Sequence, residues 1–273
     1  MFINNIPSTF VIGPVEIHYY SLFFAAGVVA NYLILTRLWK RNGWSEKSLD
    51  GIVVYLFFGL VIGARLGHIF FYNPAYYFAE PIRILKIWEG GLASHGAMIG
   101  LVIAYALFWL KEKKKQHGNR SIFWKFLDTL VVPMPLTAAF VRMGNFFNSE
   151  IVGRVTESPL GVIFAKNGDT FMRHPSQLYE CALLLFVFVI LLLTYSKKKR
   201  PNGLIVFLFV GIYFLGRFFL EFLKEYQEGL ENILPFGLTM GQALSIIPVL
   251  IAIGYFIKIG SLINHLVKTR LSE

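Results

Sequence analysis

Arg142 and Arg217 sit in two separate apolar stretches of this 273-residue chain, each with polar companions at helical spacing. In RMGNFFNSEIVGR, residues 142–154, Arg142 and Asn145 are three apart and share a helix face. Asn148, Glu150, Gly153 and Arg154 follow, where that helix should reach a surface. A guanidinium is a planar fork of donors suited to a phosphate. Asn145 can donate and accept beside it, and a glycine such as Gly153 lets backbone approach a ligand. The other reading of this group is an Arg142–Glu150 ion pair that only ties the helix to the segment after it. In GRFFLEFLK, Arg217, Glu221 and Lys224 fall at i, i+4 and i+7 and form one polar stripe. Facing lipid would cost such a stripe several kcal/mol, on the order of 2–3 per charge, so it points to an interior or a polar cavity. Arg217 with Glu221 reads either as part of a site or as a pair that satisfies itself.

A third group is GGLASHGAMIG, residues 90–100, where Ser94 and His95 follow a glycine-rich turn. Histidine suits proton transfer near neutral pH, although a lone histidine at a membrane boundary is often only interfacial. Gly59, Gly63 and Gly67 form a small-residue ridge expected to pack a helix closely, and Arg65 beside it needs a partner or a polar cavity. Tyr19 and Tyr20 read as interfacial anchors, or as rings pointing into a site. HPSQLYE, residues 174–180, reads as a capped helix start, with Ser176, Gln177 and Glu180 entering it. The single cysteine, Cys181, lies in an apolar block and reads as packing; it excludes a disulfide framework and a multi-cysteine metal site. No Ser-His-Asp arrangement, Walker loop, Rossmann glycine fingerprint or HExxH zinc motif is present. No metal or cofactor is expected, and the chemistry would have to use a nucleophile brought by the substrate.

The elements that must position these groups are membrane spans. Of the residues, 56% are hydrophobic and only 15% charged, against about 25% charged in soluble domains. The apolar residues come in long blocks near the ~20 residues that cross a hydrocarbon core, and without the alternation of a membrane barrel. Spans are predicted at 17–36, 51–72, 94–110, 127–147, 176–195, 204–223 and 239–257. The fold expected is therefore an all-α integral membrane protein of about seven helices, a single transmembrane domain over 1–273, with residues 148–175 as a small extracytoplasmic cap. Basic residues set its orientation. Seventeen of the 26 Lys and Arg follow the first, third, fifth and seventh spans, which makes those loops cytoplasmic, the N-terminus outside and the C-terminus inside. The net charge of +10 thus reads as a topology signal with head-group contacts, not as a nucleic-acid surface. MFINNIPSTF lacks the basic region and small-residue cleavage site of a signal peptide.

The motifs carry a resemblance over nearly the whole chain. IGPVEIHYYSL, GARLGHIFFY, WEGGLASHGAMIG, RMGNFFNSEIVGR, RHPSQLYE, GRFFLEF and MGQALSI, in this order, are similar to the bacterial prolipoprotein diacylglyceryl transferases. That resemblance implies transfer of the diacylglyceryl group of phosphatidylglycerol to the lipobox cysteine of a preprolipoprotein. A thioether forms and glycerol phosphate is released, in the bacterial cytoplasmic (inner) membrane. The substrate's sulfur would then be the missing nucleophile. The resemblance maps a phospholipid-binding arginine to Arg142, further site residues to Asn145, Glu150, Gly153, Arg217, Glu221 and Tyr20, and a histidine to His95. Two departures, HGA for HGG and Lys224 where some members have Arg, remove no group assigned to the reaction. A transporter or lipid-binding protein without chemistry is a rival reading, lowered by the lack of inverted repeats. A phospholipid-modifying transferase with another acceptor is a second.

Overall fold

The computed structural model describes residues 2–72, 74–114, 119–197, 199–225 and 237–271, apart from the side chains of 89, 94, 120 and 262–271. It is a mostly helical protein. Six helical stretches among these residues are long and apolar enough to cross a membrane: Tyr19–Arg41, Glu46–Phe71, Ser121–Asn148, Ser176–Ser196, Leu204–Leu223 and Met240–Ser261. The chain is therefore a multi-pass membrane protein.

The helices are α1 (Tyr19–Arg41), α2 (Glu46–Phe71), α3 (Pro74–Ala79), α4 (Ser94–Glu112), α5 (Arg120–Val131), α6 (Met134–Asn148), α7 (Ser176–Ser196), α8 (Leu204–Leu220) and α9 (Met240–Leu271). They fall close to the predicted spans, with three physical differences. The fourth span is two helices, because Pro133 and Pro135 deny N–H donors where α5 would run into α6. The sixth ends in a tighter turn, Glu221–Leu223. The seventh extends well past residue 257 and carries Pro248 inside it. α4, the predicted third span, is 19 residues long. It is not among the six found in the described residues.

The chain forms two compact units, residues 1–35 with 124–273, and residues 36–123. In the second unit α2 lies against α4 along the predicted ridge. A Cβ on Gly59 would lie 2.6 Å from the Gly100 carbonyl oxygen, one on Gly63 2.4 Å from the Gly96 carbonyl oxygen, and one on Gly67 2.6 Å from Gly96 Cα. Backbones this close leave room for hydrogen alone, which is what small residues contribute to helix pairing in lipid.

In the first unit α6 packs on α7, α7 on α8 and α8 on α9. The side chain of Thr137 on α6 accepts from Asn31 Nδ2 at 3.0 Å and donates to the Gly27 carbonyl at 3.2 Å, which ties α1 to α6. Short strands accompany the helices. β1 (Phe2–Asn4) runs parallel to β4 (Val162–Phe164), with Phe2 opposite Val162, and β2 (Thr9–Ile12) pairs with β3 (Val15–His18) as a hairpin. Asn4, fully buried, donates from Nδ2 to the Phe146 carbonyl at 2.8 Å. Phe146, Val162 and Phe164 form a small core with Ile6, Val152 and Leu178. The stretch 148–175 is thus an ordered β-containing element on the ends of α6 and α7. Lys166 Nζ and Asn167 Nδ2 hold it by donating to the carbonyls of Phe147 and Ser149. Arg173 bridges Asp169 at 2.9 Å and Glu225 at 2.7 Å. Burial lowers its pKa, and the two carboxylates more than reverse that, so the guanidinium is held above its usual value.

Candidate active site

The site in the first unit is built where α6 ends, α7 begins and α8 ends. α6 brings Arg142 and Asn145 to one face, a turn apart, and Arg142 Nη1 donates to Asn145 Oδ1 at 3.3 Å. The helix stops at Asn148 because Ser149 takes a left-handed conformation, φ 58°. That turn folds Glu150 back over the helix end, where its backbone N–H donates to the Asn145 carbonyl. Its carboxylate then accepts from Asn145 Nδ2 at 2.8 Å and Asn148 Nδ2 at 3.1 Å. Glu150 is therefore held by amides, and the predicted alternative of an Arg142–Glu150 ion pair is not what forms. The first turn of α7 is stitched to the same corner: Ser176 Oγ donates to the Ile151 carbonyl at 2.6 Å and Gln177 Nε2 to the Glu150 carbonyl.

One turn further along α7, Glu180 is the hub. Its carboxylate is ion-paired with Arg142 Nε and with Lys224 Nζ, and lies 3.9 Å from Arg217 Nη1. Arg217 is also 3.4 Å from the Tyr213 hydroxyl. Lys224 reaches Glu221 as well, at 3.4 Å. The carboxylate side chain is 1% exposed, while Arg142 and Arg217 keep 18% and 25%. A buried carboxylate is tolerable only when cations compensate its lost hydration. Here Arg142, Arg217 and Lys224 surround Glu180, with Glu221 beside Lys224, and the two guanidiniums keep more exposure than the carboxylate they face. An anion with several oxygens is the ligand such a surface fits.

Several other predicted residues of the first unit pack near this cluster. Tyr20 lies over Gly144, where a Cβ would come within 2.8 Å of Tyr20 Cδ2, so its ring abuts the turn that carries Asn145. Tyr19 packs instead between Phe10 and Phe147. Gly153 pairs with Lys224 across a β-bridge, and a Cβ there would lie 2.6 Å from the carbonyls of both His174 and Leu223. Its lack of a side chain serves this packing. Glu221 sits against Gly241 at the start of α9, where a Cβ would fall 2.4 Å from its carboxyl carbon. Thr239 and Gln242 cap that helix start reciprocally, at 3.0 and 3.2 Å. Cys181 is packed with Ala139 and Leu184. His95 belongs to the second unit, exposed at the start of α4. Among the described residues no group of three or more His, Cys, Asp or Glu is placed to hold a metal ion.

The prolipoprotein diacylglyceryl transferase family model matches residues 7–258. The chain belongs to this family. Curated members of it include a phosphatidylglycerol--prolipoprotein diacylglyceryl transferase of Tolumonas auensis, 41% identical, covering 90% of this chain and 92% of that protein. Proteins of the same name from Porphyromonas gingivalis and Chloroherpeton thalassium are 40% and 39% identical, over 92% and 90% of each chain. Within this transferase family frame, the residue that sequence reasoning passed over is Glu180, read above only as part of a helix start. A carboxylate inside an apolar block is costly for the same reason as Arg217 in its span, and that rule would have singled it out.

Proposed function

We propose that this protein transfers the diacylglyceryl group of phosphatidylglycerol to the lipobox cysteine thiol of preprolipoproteins. The observation that carries this reading is the pair Arg142 and Arg217, both held beside one buried carboxylate, Glu180, and both more exposed than it, in a chain of this family. The thiol sulfur attacks a glyceryl carbon, a C–S bond forms, and the C–O bond to the phosphate breaks. Glycerol phosphate leaves carrying the electron pair. Arg142 and Arg217 hold the phosphate and meet the charge that grows on it. His95 takes the thiol proton, since the thiolate is the attacking species. Asn145, Glu150, Tyr20, Gly153 and Glu221 shape the lipid-binding site around the two arginines. No cofactor is required by these steps.

The same reading makes residues 1–273 one transmembrane domain of seven crossings in the bacterial cytoplasmic membrane, with the N-terminus and the 148–175 cap outside. Strand pairing supports the seventh crossing. β1 and β4 are hydrogen-bonded neighbours, so they lie on one side of the membrane and an even number of crossings separates them. α1, α2 and the 121–148 stretch are candidates for three, and α4 as a further crossing would make four. Outside is also where an exported preprolipoprotein meets phosphatidylglycerol.

The deciding assay uses purified protein in phosphatidylglycerol vesicles. Glycerol phosphate should be released only when a lipobox peptide with its cysteine is present. Release without the cysteine would point to another acceptor, and lipid movement without release to a transporter. Arg142→Ala and Arg217→Ala should each abolish release. For His95→Gln, a pH–rate profile identical to the wild type would exclude the base role.

A further inference from the structure

We infer that Arg65 is a positioning residue for His95: it winds the segment leading into α4 around its guanidinium and so fixes where that helix starts. Arg65 is on α2 and 4% exposed. An arginine has five N–H donors in a rigid fork, and here five backbone carbonyls meet them. Nε donates to Ile84 at 3.0 Å, Nη1 to Gly90 at 2.5 Å and Gly91 at 3.2 Å, and Nη2 to Arg83 and, at 3.1 Å, to Lys86. All five carbonyls belong to the connection between α2 and α4. The Tyr77 ring covers the guanidinium, 4.9 Å from its carbon. Gly91 has φ +75°, and a Cβ there would lie 2.7 Å from the His68 ring and 2.9 Å from Arg65 Nη1. The Ala93 N–H then donates to the Ala64 carbonyl at 2.9 Å, and α4 begins at the next residue.

This arrangement separates two tasks. The glycine ridge sets the close approach of α4 to α2. Arg65 instead determines the path of residues 83–91, and through it the first turn that carries His95. Its donors are spent on carbonyls, so unlike Arg142 and Arg217 it is not a phosphate ligand. A lysine cannot replace it, because an ammonium has three donors and no fork.

The inference rests on the role given to His95 above, and a double-variant cycle in the full-length protein keeps the two apart. Arg65→Lys should lower kcat by about tenfold or more, as displacement of a reacting group by ~1 Å does, with little change in KM for phosphatidylglycerol. In a His95→Gln background the same substitution should cost almost nothing further. Full additivity would overturn the positioning role. A His95→Gln protein with wild-type kcat and pH profile would instead overturn the reading of His95 itself. Gly91→Ala crowds the clamp while keeping Arg65, and should show the same coupling even where Arg65→Lys fails to fold. Trypsin should cut after Arg83 and Lys86 faster in both variants than in the wild type; unchanged cleavage in both would also overturn the clamp.

Discussion

Glu180 of α7 and Lys224, just beyond α8, are ion-paired although both are nearly shut off from solvent, at 1% and 8% exposure. Arg142 approaches the same carboxylate from α6. One buried carboxylate thus faces three cations, and the placement of the two arginines depends on it.

Glu180→Gln should therefore do more than lower activity. Leaving three cations around a neutral amide should cost about 3–5 kcal/mol, as breaking a buried pair from one side does. Thermal unfolding in detergent measures it, and an unshifted midpoint would remove Glu180 from this role. Glu180→Asp keeps the charge and should fall between the two.

The phosphate assignment predicts asymmetric losses on conservative change. Arg142→Lys and Arg217→Lys keep the charge but lose the planar fork. Each should reduce kcat/KM for phosphatidylglycerol by about tenfold or more, equivalent to ~1.4 kcal/mol of transition-state binding. KM for the lipobox peptide should move little. Initial rates across both substrate concentrations separate these effects.

Gly241→Ala tests the seat of Glu221. A methyl at that position would land 2.4–2.5 Å from the carboxylate atoms, so Glu221 must leave its place beside Lys224. Transfer activity should drop sharply with α9 still folded by circular dichroism. Gly254→Ala, in the same helix with nothing within 4 Å of the new Cβ, should leave activity intact.

Gly100→Ala tests the ridge. Its Cβ would sit 2.0 Å from the Gly59 carbonyl oxygen, so α2 and α4 must separate. Overpacking of this kind costs about 1–3 kcal/mol, whereas Gly254→Ala should be neutral or stabilising by up to ~1 kcal/mol. Comparing the two melting temperatures checks the prediction.

Much of this was legible in the sequence, because in lipid the rules are few. Length and apolarity located the helical stretches, although the fourth is two helices and the last runs on to Leu271. Spacing put Arg142 beside Asn145, and the ridge of Gly59, Gly63 and Gly67 announced close packing. What stayed hidden depends on distant partners. Nearness in sequence offers Glu150 only as an alternative partner of Arg142, while the counter-ion found, Glu180, comes from the next helix. The pairing of Phe2–Asn4 with Val162–Phe164 has no signature, since three residues are too few to show a period. Arg65 was flagged as needing a partner, but five carbonyls of one connection are not a pattern that residue types reveal.

The β1–β4 pairing also has a temporal side. Phe2, Ile3 and Asn4 are made well before their partners, residues 162–164. Until Phe164 has left the ribosome and joined them, the strand that carries Asn4 to the Phe146 carbonyl lacks its partner. Contacts this far apart in sequence close late and slowly. Several helices are therefore made while this strand waits unpaired, and the cluster around Glu180 is complete only once Arg217 and Lys224 have followed.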